Sequence, residues 1–586
     1  MRSLLRLKPY LVRQKRLLLW GLFTVVMSNL FTVVQPRLVG AAIDKLKLGL
    51  ETHQIDKIGL LDLAALVVCF SLIAGIFTFL TRQTIIVASR HIEFDLRNDF
   101  LSHIQKLSLS YFQNTPTGDL MAHATNDIGA VRNAVGPGIM YPSDTIVTFT
   151  MTLTLMLWTD WRLTLLALIP LPIVSYVVYK LGQQIHRKFE EKQEQFSRLT
   201  MRAQENLSGI RIVKAYVREQ YEIDRFGELS QTYLKKNLVL ARIQSVLWPL
   251  MFMLVGCSLV IVVYVGGVKV IDGGLSLGAL TAFFGYLILL IWPMIAFGWV
   301  TNILQQGGAS MSRLSKILDS APEISDGPAT DNSIHDIHGA IEFRNVSFTH
   351  KGAARPTLSD INLKIDEGMT LAVVGYTGCG KSTLVNLISR LYDVTAGELL
   401  IDGINVKQIP LEVLRSGTGY VPQETFLFSD TLSENISYGV DNGTLEHILQ
   451  AAEISQIAKD VDEFPKEYET MIGERGITLS GGQKQRTSIA RAVMRDPKIL
   501  ILDDALSAVD TFTEEEILRR LRHVMKNRTS IIISHRISTV KDADNIIVLD
   551  GGRITERGTH DELVAQGGIY ADLYEKQLLE DELEKL

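Results

Sequence analysis

Leu371-Ala372-Val373-Val374-Gly375-Tyr376-Thr377-Gly378-Cys379-Gly380-Lys381-Ser382-Thr383 reads as a buried strand, a glycine-rich turn and the start of a helix. The spacing fits G-x-x-x-x-G-K-[ST] with the flanks that pattern requires. Its glycines let successive backbone N–H groups curl around phosphate oxygens at a helix N-terminus. Lys381 then reaches the β/γ oxygens, and Ser382 offers a hydroxyl to Mg²⁺. The whole loop, Gly375 to Thr383, is the candidate ATP-binding segment. Downstream, the apolar run Lys498-Ile499-Leu500-Ile501-Leu502 ends in Asp503-Asp504. An acidic residue at the end of such a strand sits beside the phosphate loop and holds Mg²⁺, here Asp503. Acidic strand ends are common, so this pair gains its meaning from following a phosphate loop.

Upstream the composition changes. The chain has 586 residues, 47% of them hydrophobic, with a mean hydropathy of +0.17. That length predicts two to four domains. Long apolar runs fill the region before about residue 320. Six stretches, near 17–43, 58–81, 138–158, 162–182, 246–271 and 279–303, reach the roughly 20 residues a membrane-crossing helix needs. Met1 to Arg16 is basic without an acidic residue, as in a signal peptide. The apolar run that follows is long enough to span and lacks a small-residue cleavage site, so it reads as a retained first helix with a cytosolic N-terminus. A stretch rich in Asp, Ser, Pro and Gly, 322–339, marks a linker. The expected architecture is an all-α, six-helix transmembrane domain over 1–321, this linker, and an α/β P-loop nucleotide-binding domain over 340–586.

The connections at about 82–137 and 183–245 are long, polar and helix-patterned, and the other loops are short. With a cytosolic N-terminus, these long connections lie in the cytosol, where 25 helical residues reach roughly 37 Å. Their tips, at Phe112 to Leu120 and Glu205 to Gly209, are either ordinary helix breaks or contacts to the soluble domain. Asp144 is an ionisable group inside a span and so a candidate functional residue. Pro36, Pro249 and Pro293 suggest kinks. The three cysteines, Cys69, Cys257 and Cys379, are scattered, with no disulfide framework or zinc spacing. Cys379 is either a small filler or an accessible thiol that ATP would protect. The net charge of −5 gives no sign of a nucleic-acid surface.

Between the two nucleotide motifs stands Leu479-Ser480-Gly481-Gly482-Gln483, which resembles the signature of ATP-binding cassette (ABC) proteins. Gln423, in Tyr420-Val421-Pro422-Gln423, resembles the Q-loop. Gly473-Glu474-Arg475-Gly476 is similar to a segment distinguishing exporters. Ser507-Ala508-Val509-Asp510 resembles the D-loop, and His535, in Ile533-Ser534-His535-Arg536, the switch histidine. With six spans in front, the chain resembles type IV ABC exporters, the multidrug and lipid-flippase group, over essentially its whole length. That resemblance implies two cassettes stacked head to tail, each ATP lying between one phosphate loop and the other subunit's signature. Ser480, Gly481, Gly482 and Gln483 would then serve the partner's nucleotide. Gln423 would sense Mg²⁺ and the attacking water and face the cytosolic tips, which become candidate coupling helices.

The chain departs from the family at two positions. Asp504 stands where the family usually has Glu, a carboxylate retracted by roughly 1.5 Å, and a misplacement of ~1 Å can cost about 10²-fold in rate. His350, in Val346-Ser347-Phe348-Thr349-His350, stands where a Tyr usually stacks on adenine. An intact signature beside a shortened carboxylate resembles the degenerate-site subunit of heterodimeric bacterial multidrug exporters. The resulting expectation is ATP-driven export of amphipathic drug-like or lipid cargo across the cytoplasmic membrane by a heterodimer, with Asp504, Gln423 and His535 as candidate catalytic residues. A homodimeric lipid flippase and an ATP-gated channel or regulatory ABC subunit are the alternatives. A soluble ATPase acting on nucleic acid is at odds with the six spans.

Overall fold

The computed structural model describes residues 2–473 and 479–584. The chain divides into two compact units, Met1–Gln105 with Thr117–Ser320 and Lys106–Pro116 with Ala321–Leu586.

The first unit is helical. All six expected spans fall on helices: Lys15–Glu51, Lys57–Thr81, Pro137–Thr159, Trp161–Leu168 with Pro170–Ser208, Glu219–Ile261 continuing to Ile271, and Leu277–Leu318. Among the described residues, three helices are by themselves long and apolar enough to cross a membrane: Lys15–Glu51, Lys57–Ile104 and Leu277–Leu318. The fourth span is interrupted where Pro170, lacking an N–H, opens a new helix. The third carries Asp144 and many threonines, and the fifth continues a polar helix. Pro36, Pro249 and Pro293 lie inside helices. The first and last spans meet at backbone contact. A Cβ on Gly40 or Gly278 would overlap the other's carbonyl oxygen, and Gly285 leaves room for the Pro36 ring. Asp44 fastens this crossing by accepting from the Gly278 N–H and the Ser276 hydroxyl, both at 2.6 Å.

The second unit is α/β. Its strands are β1 (Ile341–Phe348), β2 (Leu358–Ile365), β3 (Thr370–Val374), β4 (Ala396–Ile401), β5 (Ile404–Asn405), β6 (Thr418–Val421), β7 (Ile499–Asp503), β8 (Thr529–Ile533), β9 (Asn545–Asp550) and β10 (Arg553–Gly558). One sheet has the order β2-β1-β4-β5 and the other β10-β9-β3-β8-β7-β6. In the larger sheet every pair from β9 to β6 is parallel. Its strands β3, β7 and β8 are almost continuous Ile, Leu and Val because both faces are covered. Residues 322–339 contain no helix or strand, yet they are tied to this unit. The Asp331 N–H donates to the Gln408 carbonyl at 2.8 Å, and Asp326 accepts from the Leu411 N–H at 3.0 Å.

Candidate nucleotide-binding site

The larger sheet brings four candidate segments to the carboxyl ends of adjacent parallel strands, where open α/β sheets bind ligands. After β3 the chain turns through Gly375, Gly378 and Gly380 with φ of +146°, +84° and +104°, values that glycine adopts without steric cost. A Cβ at Gly375 would also overlap the Leu549 carbonyl. Gly380 leads into the helix Lys381–Ile388, and no side chain caps its N-terminus, so its first N–H groups stay available to an anion. Lys381 is only 7% exposed. Its Nζ donates to the carbonyl oxygens of Gly375 at 2.8 Å and Tyr376 at 3.0 Å, holding the cation inside the loop. This geometry fits a polyphosphate.

The loop also decides between the two readings of Cys379 and shows what Tyr376 contributes. Cys379 is buried in the hydrophobic core, and burial pushes its thiol up although Lys381 pulls the other way. It is the filler, and the alternative of an accessible thiol is set aside. Tyr376 exposes its ring and gives the loop only its carbonyl, so the phenol has no part in the lysine's grip.

Strand β7 delivers Asp503, which is 2% exposed. Burial pushes its carboxyl up, a hydrogen bond from Ser382 opposes this, and the neighbouring Asp504 adds to the rise. A hydroxyl and a carboxylate so joined are the hard oxygen donors that suit Mg²⁺. Tyr420 on β6 lies close enough to Asp503 to lower its carboxyl and donates to Asn386 at 3.0 Å. Nothing in the spacing of Tyr420 points at β7, so this role is not legible in the sequence. Asp504 follows with a left-handed φ of +48°. Its N–H donates to the Ile533 carbonyl at 2.9 Å, and its own carbonyl accepts from Ser507 Oγ at 3.0 Å. Gln423 and His535 lie exposed just past β6 and β8, and Gln577 donates to the His535 carbonyl at 2.9 Å.

His350 is half-buried, its ring edge-on to Phe348 at 4.8 Å and to Tyr392 at 5.3 Å. It lines a cleft of about 650 Å³ together with Ser110, Gln113 and Tyr392. The first tip, as far as Pro116, thus belongs to the nucleotide-binding unit, which favours the contact reading over an ordinary helix break. On this tip, Ser110 on the helix Leu109–Asn114 donates to Glu323 at 2.5 Å, and Ser108 accepts from the Ile324 N–H at 2.9 Å. The second tip breaks at Gly209 and continues as Ile210–Ala215, with Ile210 and Ile212 exposed.

Ser480 caps the helix Gly481–Met494. Its Oγ accepts from the Gln483 N–H at 3.2 Å, and Gln483 Oε1 accepts from the Ser480 N–H at 2.9 Å, a capping box. Gln483 Nε2 donates to Asp460 at 3.0 Å, so its amide is engaged at both ends within the chain. Among the described residues, no hydrogen bond joins Ser480 or Gln483 to the phosphate loop. Gly473 is described, but Glu474, Arg475 and Gly476 lie outside the described residues. In the first unit, Asp144 accepts from Asn29 Nδ2 at 2.8 Å, and Asn29 Oδ1 in turn accepts from Thr148. No cationic side chain pairs with Asp144 among the described residues.

Comparison with known proteins matches the ABC transporter transmembrane region over residues 18–294 and the ABC transporter domain over 358–507. The chain is 39% identical to the probable multidrug resistance ABC transporter ATP-binding/permease protein YheI of Bacillus subtilis, over 94% of this chain and 93% of that one. It is 36% identical to the multidrug resistance-like ATP-binding protein MdlA of Escherichia coli, over 100% and 98%. It is 38% identical to the ATP-dependent lipid A-core flippase of Syntrophus aciditrophicus, over 83% and 81%. A bacterial Atm1-family ABC exporter solved with ATP bound superposes with a TM-score of 0.79 at 26% identity, covering 96% of this chain and 98% of that one. The helical membrane half, the phosphate loop set against Asp503 and this kinship over nearly the full length make the chain a member of the ABC transporter family, of the exporter type.

Proposed function

We propose that this chain is one half of a heterodimeric exporter that moves amphipathic cargo, drug-like or lipid, across the cytoplasmic membrane. Its N-terminus and nucleotide-binding unit face the cytosol. When bound, ATP with Mg²⁺ supplies the phosphoanhydride and the divalent charge. Lys381 and the N–H groups of Gly375 to Thr383 would hold phosphate oxygens, and Ser382, Asp503 and Gln423 would hold the metal. His350 would offer its ring beside the base. His535, just past the neighbouring strand β8, would contact the γ-phosphate. The Ser480 oxygen already accepts from the Gln483 N–H, and its hydrogen, which donates to none of the described residues, would turn to the γ-phosphate in the partner's site. Gly481 and Gly482 present their N–H groups there.

The observation that carries the unequal pairing is the backbone of Asp504. Hydrogen bonds to Ile533 and from Ser507 hold it at both its N–H and its carbonyl, so the main chain does not advance to make up for the missing methylene. This chain's own site is therefore slow, and its signature completes a faster site on a partner that carries Glu. The relatives named for multidrug resistance support drug-like cargo. The 38% identity to a lipid A-core flippase favours a second reading, a homodimeric flippase.

Inside-out membrane vesicles test the export reading. ATP should drive accumulation of a fluorescent amphiphile against its gradient, and Lys381→Ala should abolish it. A passive, ATP-gated conductance without accumulation would refute export.

A further inference from the structure

Gln485 lies two residues beyond the signature on the helix Gly481–Met494 and is 5% exposed. Both ends of its amide are committed to the segment that carries Asp504. Its Oε1 accepts from the Ala508 N–H at 2.9 Å. Its Nε2 donates to Ser507 Oγ at 2.9 Å and to the Asp504 carbonyl at 3.4 Å. The contact around it leaves no slack. A Cβ on Gly482 would stand 2.9 Å from the Ala508 carbonyl oxygen, and one on Gly481 would stand 3.3 Å from the Ala508 Cβ. The far side of the same segment is held as well. Arg536, beside His535, donates to the Val509 carbonyl at 3.4 Å and pairs with Glu514, which is 3% exposed and also accepts from Thr539 at 2.5 Å.

We propose that Gln485 is a positioning residue that ties the signature to the Asp504 peptide, so that the two half-sites of this chain move as one piece. The inference rests on the reading above that the signature closes on the partner's nucleotide. Gln485 needs no contact with nucleotide. A pull on Ser480 to Gln483 passes through its amide to Ser507, Ala508 and the Asp504 carbonyl, and so shifts the carboxylate of the other site. An amide is the side chain that serves, because it presents one acceptor to Ala508 and donors to Ser507 and Asp504 at once. Glu keeps the acceptor and loses the donor. Met fills the space and loses both.

The test uses the full-length transporter purified with its partner in liposomes, following phosphate release against ATP concentration. Gln485→Met should lower kcat about tenfold while KM stays within about twofold, because the signature that completes the partner's faster site is no longer held in place and the phosphate loop is untouched. The Hill coefficient for ATP should fall to about one, since the link between sites is cut. Gln485→Glu should fall between the wild type and Gln485→Met. Ser507→Ala, which removes a contact from outside the signature helix, should move kcat and the Hill coefficient in the same direction and keeps the test open if Gln485→Met fails to fold. Unchanged kcat and Hill coefficient in Gln485→Met overturn the tie, as does a loss of turnover that merely follows a loss of folded protein in all three variants. Gly481→Asp separates the two ideas. If it abolishes turnover while Gln485→Met changes nothing, the tie alone is wrong. If it leaves turnover intact, the pairing reading fails and the tie with it.

Discussion

Lengthening one side chain, Asp504→Glu, should speed this transporter. The aspartate carboxylate falls roughly 1.5 Å short of a glutamate's, and ~1 Å of misplacement can cost about 10²-fold, or about 2.7 kcal/mol of barrier. The backbone that would have to move is fixed by Ile533 at 2.9 Å and Ser507 at 3.0 Å. A counter-term comes from the left-handed φ of +48°, a region that aspartate tolerates better than longer side chains and that costs about 1–2 kcal/mol for most residues. That strain is paid in stability, so Asp504→Glu should melt somewhat lower while turning over about 10- to 100-fold faster. The assay is phosphate release by the chain purified alone in liposomes at saturating MgATP, where every site carries the same carboxylate. Turnover within twofold of the wild type, with ATP binding intact, would refute the reasoning. So would a wild-type chain that is already brisk by itself.

Three further outcomes follow from other sites. Gly375→Ala places a methyl on a φ of +146° and against the Leu549 carbonyl. Strain of about 1–3 kcal/mol should weaken ATP binding about tenfold in a calorimetric titration. Asp127, in the helical unit outside the spans, is 7% exposed. Burial opposes its charge, but hydrogen bonds from Arg313, His123 and Ser310 outweigh this and lower its carboxyl to about 2. A carboxyl depressed on folding adds stability that is present above its unfolded pKa of about 3.9 and lost as pH falls through the folded value. Asp127→Asn should therefore lower the Tm at pH 7, and its gap from the wild type should close as pH falls from about 4 towards 2; a gap independent of pH would contradict this. Asp144→Asn keeps a partner for Asn29 and removes the charge. Vesicle export of a permanently cationic amphiphile should drop about fivefold while that of a neutral analogue holds, and equal loss of both would mark a structural role.

The phosphate loop was legible because its chemistry leaves little choice of residue. Only glycine serves freely at the φ values of Gly375, Gly378 and Gly380, and Lys381 and Ser382 are fixed by what they hold. The strands were legible because β3, β7 and β8 are buried on both faces and must be apolar. Spans are likewise dictated by the bilayer, although sequence gave no sign of the π-helical turns at Arg82–Ile86, His123–Asp127 and Val262–Gly266. Long-range polar pairs stayed hidden. Asp127 and Arg313 are 186 residues apart, and Ser110 and Glu323 are 213 apart; no periodicity encodes such contacts. Gln485 escaped for a different reason: on a mostly polar helix, a buried glutamine looks like an exposed one until its partners on the D-loop are in place. Cys379 could have been either filler or accessible thiol, since burial within a loop depends on packing from a core that the motif does not contain.

The unequal pair is tested most directly by tagging this chain, extracting it from its host membranes in mild detergent and weighing the complexes by native mass spectrometry. One copy of this chain with one copy of a different ABC half, carrying Glu where this chain has Asp504, is the expected result. Complexes of two copies of this chain alone that hydrolyse ATP briskly would contradict it.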